Sequence, residues 1–418
     1  TLDQMGRAAA LICALELERC ADQRLGAWPF EVGLWVGSAA TPNRLGYRGY
    51  DGPGADDTAY RRTLRFRKNS KQNPRPIPLE NCPWCGAELE PDSFRLAPNP
   101  NTPLNLEVRC ANHLCDFSTE RALPILAGDE PIYRRLPGLL IATVDKFASL
   151  PWTGETGTLF GRIERSANHG FYGPCSTQGK PFGGRLPPPD LIIQDELHLI
   201  SGPLGTIAGL YETAIDALAT WTIADHAVRP KIIASTATVR RADRQIRALF
   251  GRPVVEVFPP PGPDRRDSFF ALTRPTSEVP ARLYVGVAAQ GRSLKVALLR
   301  AALALLSAGQ RLWDASGGKG RVPNPADPYM TLLGYFTRLR ELGGSRRIVE
   351  DEVRARLSQY TKRRRLEPDD GLFVNRHIAY DVLELTSRVS TGEVAANKRR
   401  LALPFQEKER WMSPWPPT

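Results

Sequence analysis

The stretch that most constrains the fold lies near the middle of the chain. Leu191, Ile192 and Ile193 form an apolar run of strand type that breaks off through Gln194 into two adjacent carboxylates, Asp195 and Glu196, followed at once by Leu197 and His198. Two neighbouring carboxylates at the C-terminal end of a buried strand are costly unless something cationic binds them. Further on, a second apolar run, Lys231 to Ala234, ends in Ser235, Thr236, Ala237 and Thr238. An Asp-Glu pair after one strand is common, and a single His198 would be an ordinary interface histidine. The two runs in this order give both their meaning.

The rest of the chain alternates in the same way. Helix formers dominate Met5 to Arg19, and short strand-like runs follow at Val32–Gly37 and Gly138–Thr143. Helical patterns cover Asp145–Ala148, Ile207–Trp221 and Arg240–Phe250. Beyond the proline-rich Phe258–Arg266 the pattern restarts, with strands at Arg282–Val287, Tyr329–Tyr335 and Asp381–Thr386 between helices at Leu294–Ser307, Arg338–Leu342 and Ile348–Tyr360. Strands alternating with helices predict an α/β fold with parallel sheets covered on both faces. At 418 residues two domains are expected: 1–256, with an irregular insertion over 38–137, a stiff linker at 257–280, and 281–418. Residues 167–189 read as a Gly/Pro-rich loop.

Cys82, Cys85, Cys110 and Cys115 stand in a C-x2-C…C-x4-C pattern inside the insertion. Two short-spaced pairs, each folding back as a knuckle, set four thiolates around Zn²⁺, and a closed shell of this kind is structural, with no position left for water. His113 offers a substitute ligand. Cys13 and Cys20 read as small core residues and Cys175 as a free thiol. Ahead of the cysteines, Arg61, Arg62, Arg65, Arg67 and Lys68 are interleaved with Tyr60 and Phe66. That pattern suits a phosphate backbone with stacked bases; a solvated basic loop is the alternative. The runs Lys362–Arg365 and Lys398–Arg400 read as exposed helix faces. A net charge of +11 favours a polyanionic partner. No signal-peptide layout is present and no apolar run approaches the ~20 residues that span a bilayer, so a cytoplasmic protein without membrane contact is expected.

Taken together, the two strand-end motifs resemble motifs II and III of superfamily 2 DExH-box helicases. The resemblance runs over nearly the whole chain and implies two RecA-like parallel-sheet domains, the second incomplete, with the zinc insertion in the first. It implies ATP and Mg²⁺ as cofactors, Asp195 holding the ion and Glu196 polarising the attacking water. His198 and Ser235, Thr236, Ala237 and Thr238 would couple that site to the second domain. Thr143 matches the threonine that touches the nucleic-acid backbone, Thr1–Gln4 with Arg7 matches the entry to an earlier motif helix, and Trp35–Gly37 the strand step after it. Ile141–Ala148, Gln194–Gly205 and Glu384–Glu393 are similar to the large helicases of bacterial DISARM-type anti-phage systems, which implies DNA and other defence proteins as partners.

The departures are as informative. No G-x-x-x-x-G-K-S/T loop is present: Gly179-Lys180 runs into Pro181 and Gly318-Lys319 into Gly320. No Q-x-x-G-R-x-G-R motif supplies an arginine finger. The sequence therefore reads as a fragment of an ATP-dependent helicase, inactive alone. The competing reading is a non-hydrolysing DNA-binding scaffold. A zinc nuclease is disfavoured, because it needs an open metal site.

Overall fold

The computed structural model describes residues 2–407 apart from 71, 174–175, 201–204, 237–241, 259–262, 265, 363–373, 379–381, 387 and 390. The chain divides into two compact units, Thr1–Thr273 and Arg274–Thr418.

The first unit opens with helix α1 (Leu2–Ala21), which buries Met5, Ala9, Ile12, Cys13 and Glu16 along one stripe. That spacing is the inward face of a helix. Cys20 is exposed, unlike Cys13: it keeps the spacing of this stripe but lies in the last turn of the helix. Glu16 ties the helix down: its Oε2 accepts from the Phe30 backbone N–H at 2.9 Å and from Arg19 Nε at 2.8 Å. Strand β1 (Val32–Trp35) follows, buried throughout.

Next comes helix α2 (Ala59–Lys68), inside a stretch that reads as irregular. Its inward stripe of Ala59, Thr63 and Phe66 is diluted by arginines, and Thr58 caps it, accepting the Arg61 N–H at 3.3 Å. The antiparallel hairpin β2 (Phe94–Ala97) and β3 (Asn105–Val108) carries the cysteine unit. β4 (Ile125–Ala127), helix α3 (Asp129–Arg135), β5 (Leu139–Ala142) and the short helix α4 (Val144–Phe147) complete this part. β1 lies between β4 and β5, parallel to both, with Val32 level with Ile125 and Leu139.

A small antiparallel sheet, β6 (Arg165–Ala167), β7 (Gly170–Tyr172) and β8 (Lys180–Pro181), occupies much of the expected loop. β9 (Leu191–Gln194) pairs in parallel with β12 (Lys231–Ala234). Between them lie helix α5 (Gly205–Ala219) and the hairpin β10 (Trp221–Ile223) and β11 (His226–Val228); helix α6 (Ala242–Phe250) comes after. The unit is therefore mixed α/β, but its parallel strands form two small sheets, not one large RecA-like sheet.

The second unit differs from expectation. Among its described residues there are helices α7 (Leu294–Ala315), α8 (Leu339–Arg347), α9 (Arg354–Leu357) and α10 (Thr391–Ala402), and no strand. Residues 282–287 are irregular and leave Leu283, Tyr284 and Val285 exposed; Asp327–Met330 is a single 3-10 turn. An extended run becomes a strand only when its backbone groups find a partner, and none pairs here. Residues 382–386 are likewise irregular, and Asp381 lies outside the described residues. The unit's core packs Ala302, Leu303 and Leu306 of α7 against Val353, Leu357 and Tyr360. Arg376 is buried beside it, donating to the carbonyls of Leu306 at 3.1 Å and Met330 at 2.6 Å. No helix among the described residues is long and apolar enough to cross a membrane.

Candidate functional site

The register of β9 and β12 sets Gln194 beside Ala234, so the two strand ends finish level. The ladder continues one step beyond, with Ser235 N donating to Gln194 O at 2.8 Å and Leu197 N to Ser235 O at 3.0 Å. Glu196 then takes a left-handed backbone, φ +56°, unusual for a residue with a side chain. The turn leaves Asp195 and Glu196 at the open end of the strand pair.

Asp195 is held from both sides. Its Oδ1 accepts from Ser235 Oγ at 2.5 Å and the Glu196 N–H at 3.0 Å, and its Oδ2 accepts from Gln4 Nε2 at 2.8 Å. Ser235, and after it Gln4, keeps this carboxyl below the ordinary aspartate range. Glu196 Oε2 lies 3.1 Å from His198 Nδ1, and Thr236 Oγ1 lies 3.5 Å from the same nitrogen. The structure thus brings together five of the residues singled out from the sequence: Asp195, Glu196, His198, Ser235 and Thr236. Ala237 and Thr238 lie outside the described residues. Among the described residues no lysine or arginine forms an ion pair with Asp195 or Glu196: the donors to Asp195 are neutral and Glu196 faces His198, so the adjacent carboxylates are a donor set that fits a divalent cation.

Two contributors were not legible. Gln4 reaches the site from α1, and Gln194 donates to the Glu212 carboxylate, tying β9 to α5. A neutral amide at a helix start carries no pattern that would mark it.

The remaining candidates stand apart. Thr143 precedes α4 with its hydroxyl shielded from solvent and making no hydrogen bond; its backbone N–H donates to Trp35 O at 3.2 Å. On α2, Arg65 pairs with Asp56 at 2.6 Å, while Arg67 donates to Phe94 O at 2.8 Å. Phe66 is buried edge-on against Phe94, ring centroids 5.7 Å apart, so it cannot stack on a base as the sequence suggested. Lys68 is exposed. Lys398–Arg400 lie on α10, and of the Lys362 run only Lys362 is described.

The four cysteines converge. Their Sγ atoms all lie within 4.8 Å of one another, with Cys85–Cys110 at 3.4 Å and Cys82–Cys115 at 3.9 Å. Thiolates placed tetrahedrally about 2.3 Å from zinc stand about 3.8 Å apart, so the arrangement could hold such an ion. Backbone bonds build each knuckle: Gly86 N donates to Cys82 O at 2.9 Å with Gly86 at φ +77°, and Cys115 N donates to Asn112 O at 3.0 Å. Burial pushes the Cys115 thiol up to about 11 and Cys110 higher still, so a bound cation would relieve the cost of ionising them together. His113 is exposed and outside the cluster. Cys82, Cys110 and Cys115 share one core with Cys13 of α1, Leu34 of β1 and Phe94 of β2, so this is no detached module.

No protein-family model matches the chain. It is similar to the DISARM protein DrmA of Bacillus paralicheniformis, 37% identical over 412 residues. The match covers 94% of this chain and 34% of that protein, so the chain spans about a third of the relative's length. The likeness thus runs along nearly the whole of this chain.

Proposed function

We propose that this chain carries part of the ATP-hydrolysing site of a superfamily 2 helicase or translocase that acts on nucleic acid, DNA foremost, alongside other anti-phage proteins. The observation that carries the reading is the convergence of Asp195, Glu196 and His198 with Ser235 and Thr236 at the level ends of two parallel strands. Mg²⁺, when bound, would neutralise phosphate charge and draw electrons from the bond to be broken. Asp195 has the fixed carboxylate to hold it. Glu196 takes the proton of the attacking water, and His198, on the same Nδ1 that faces Thr236, restrains the Glu196 side chain. Because Glu196 and Thr236 share one imidazole nitrogen, a small shift of either strand end exchanges the partner. Such exchange is how a nucleotide site reports its state to a neighbouring domain.

On this reading, Arg65 and Arg67 must trade intramolecular partners for phosphates, whereas Lys68 can meet a phosphate directly. Thr143 contributes once its hydroxyl is turned outward.

The test is Glu196→Gln in the full-length protein. Loss of a general base lowers turnover by about 10²–10⁴-fold. DNA-stimulated ATP hydrolysis should fall in that range while ATP binding persists. Undiminished hydrolysis would sink the assignment of Glu196. A wild-type protein that binds DNA without any ATP turnover would leave the scaffold reading in its place.

A further inference from the structure

Gln4 and Asp195 are separated by 191 positions in sequence, yet the Gln4 amide donates to Asp195 Oδ2 at 2.8 Å. The other oxygen is already engaged by Ser235 and the Glu196 N–H. A carboxylate bonded at one oxygen alone still swings about its last torsion. Bonded at both, it is fixed. The donor at Oδ2 is neutral, so it orients the carboxylate without cancelling the charge that a cation requires, as a lysine or arginine there would.

The amide's own position is secured by its helix. α1 is anchored along its length by Met5, Ala9, Ile12 and Cys13, buried in the same core as Cys82, Cys110 and Cys115, and by Glu16, which grips the Phe30 N–H. The helix cannot slide by a turn without unpacking that core. Gln4 stands one residue before the first of these anchors.

We propose that Gln4 is a positioning residue of the carboxylate site: its side-chain amide, held in place by α1 against the cysteine-bearing core, fixes Asp195 for the divalent cation. This rests on the reading of Asp195 given above. It adds a component from the opposite end of the unit's sequence, and it makes the seating of α1 a determinant of cation affinity.

Mn²⁺ with a non-hydrolysable ATP analogue, followed by electron paramagnetic resonance on the full-length protein, separates the two ideas. A hydrogen bond to a charged group is worth enough to predict about a tenfold loss of Mn²⁺ affinity in Gln4→Ala. Gln4→Glu, which sets a second negative charge against Oδ2, should bind Mn²⁺ differently from Gln4→Ala, whereas a merely structural role would make the two alike. Gln4 is exposed, so both variants should keep the wild-type circular dichroism and zinc content. Wild-type Mn²⁺ affinity in Gln4→Ala, with affinity lost in Asp195→Asn, would overturn the role of Gln4 alone. Wild-type affinity in Asp195→Asn would overturn the site reading and this proposal with it.

Discussion

Strands β1 and β9 are each four residues long, largely apolar and paired in parallel, yet they live in different surroundings. Val32, Gly33, Leu34 and Trp35 are all buried, whereas β9 leaves Leu191 and Ile193 exposed. β1 has a neighbour on either edge, α1 over one face, and Pro137 and Leu140 pressed so close to the other that a Cβ on Gly33 would lie 2.7 Å from Pro137. β9 has β12 alone. An apolar run therefore foretells extended backbone, but its cover is decided by elements elsewhere in the chain. The buried sheet holds the core and the cysteine unit behind it; the open one presents the carboxylates.

The largest effect should come from the buried side. Structural zinc sites bind with apparent free energies of about 10–16 kcal/mol, most of it realised as folding free energy. Metal analysis should find one equivalent of zinc bound by the four thiols, and a strong chelator, or Cys110→Ser, should unfold the first unit. A chelator that leaves the thermal transition where it was would show that the core stands without metal.

Next is the Lys146–Asp129 pair. Lys146 Nζ meets both Asp129 oxygens, at 2.8 and 2.9 Å, and Asn43 Oδ1 at 3.0 Å. Burial pushes the Asp129 carboxyl above its ordinary range despite the lysine beside it. Lys146→Met strands that carboxylate, which costs about 3–5 kcal/mol in a buried site. Urea denaturation should show the loss, and Asp129→Asn added to Lys146→Met should recover part of it. A loss under 1 kcal/mol would mean that water reaches the pair.

These contrasts mark what the sequence could disclose. Cys82 to Cys115 announce their geometry because a metal's ligands must be spaced to fold back on one another, and that constraint is local. The Asp195 and Ser235 runs are legible as a pair: polar residues closing one apolar strand are common, but the two runs in this order have few uses. What stayed hidden depends on distant partners. α2 is masked by arginines that turn out to be bonded to Asp56 and Asp57 and to carbonyls within the unit. Gln4 has no motif. In the second unit, Arg282–Val287 has a strand's composition but finds no strand partner among the described residues, and composition alone cannot supply one.

The smallest effect tests the comparison most directly. Leu34 of β1 is 0% exposed and Ile193 of β9 is 62% exposed. Truncating a buried leucine removes transferred surface and leaves a cavity, so Leu34→Ala should cost about 2–5 kcal/mol. Ile193→Ser, on an open face, should stay within about 0.5 kcal/mol. Both belong in the same denaturation series. Should Ile193→Ser prove as costly as Leu34→Ala, the face of β9 that carries Ile193 is covered in solution, and the two sheets would differ in the source of their cover and not in kind.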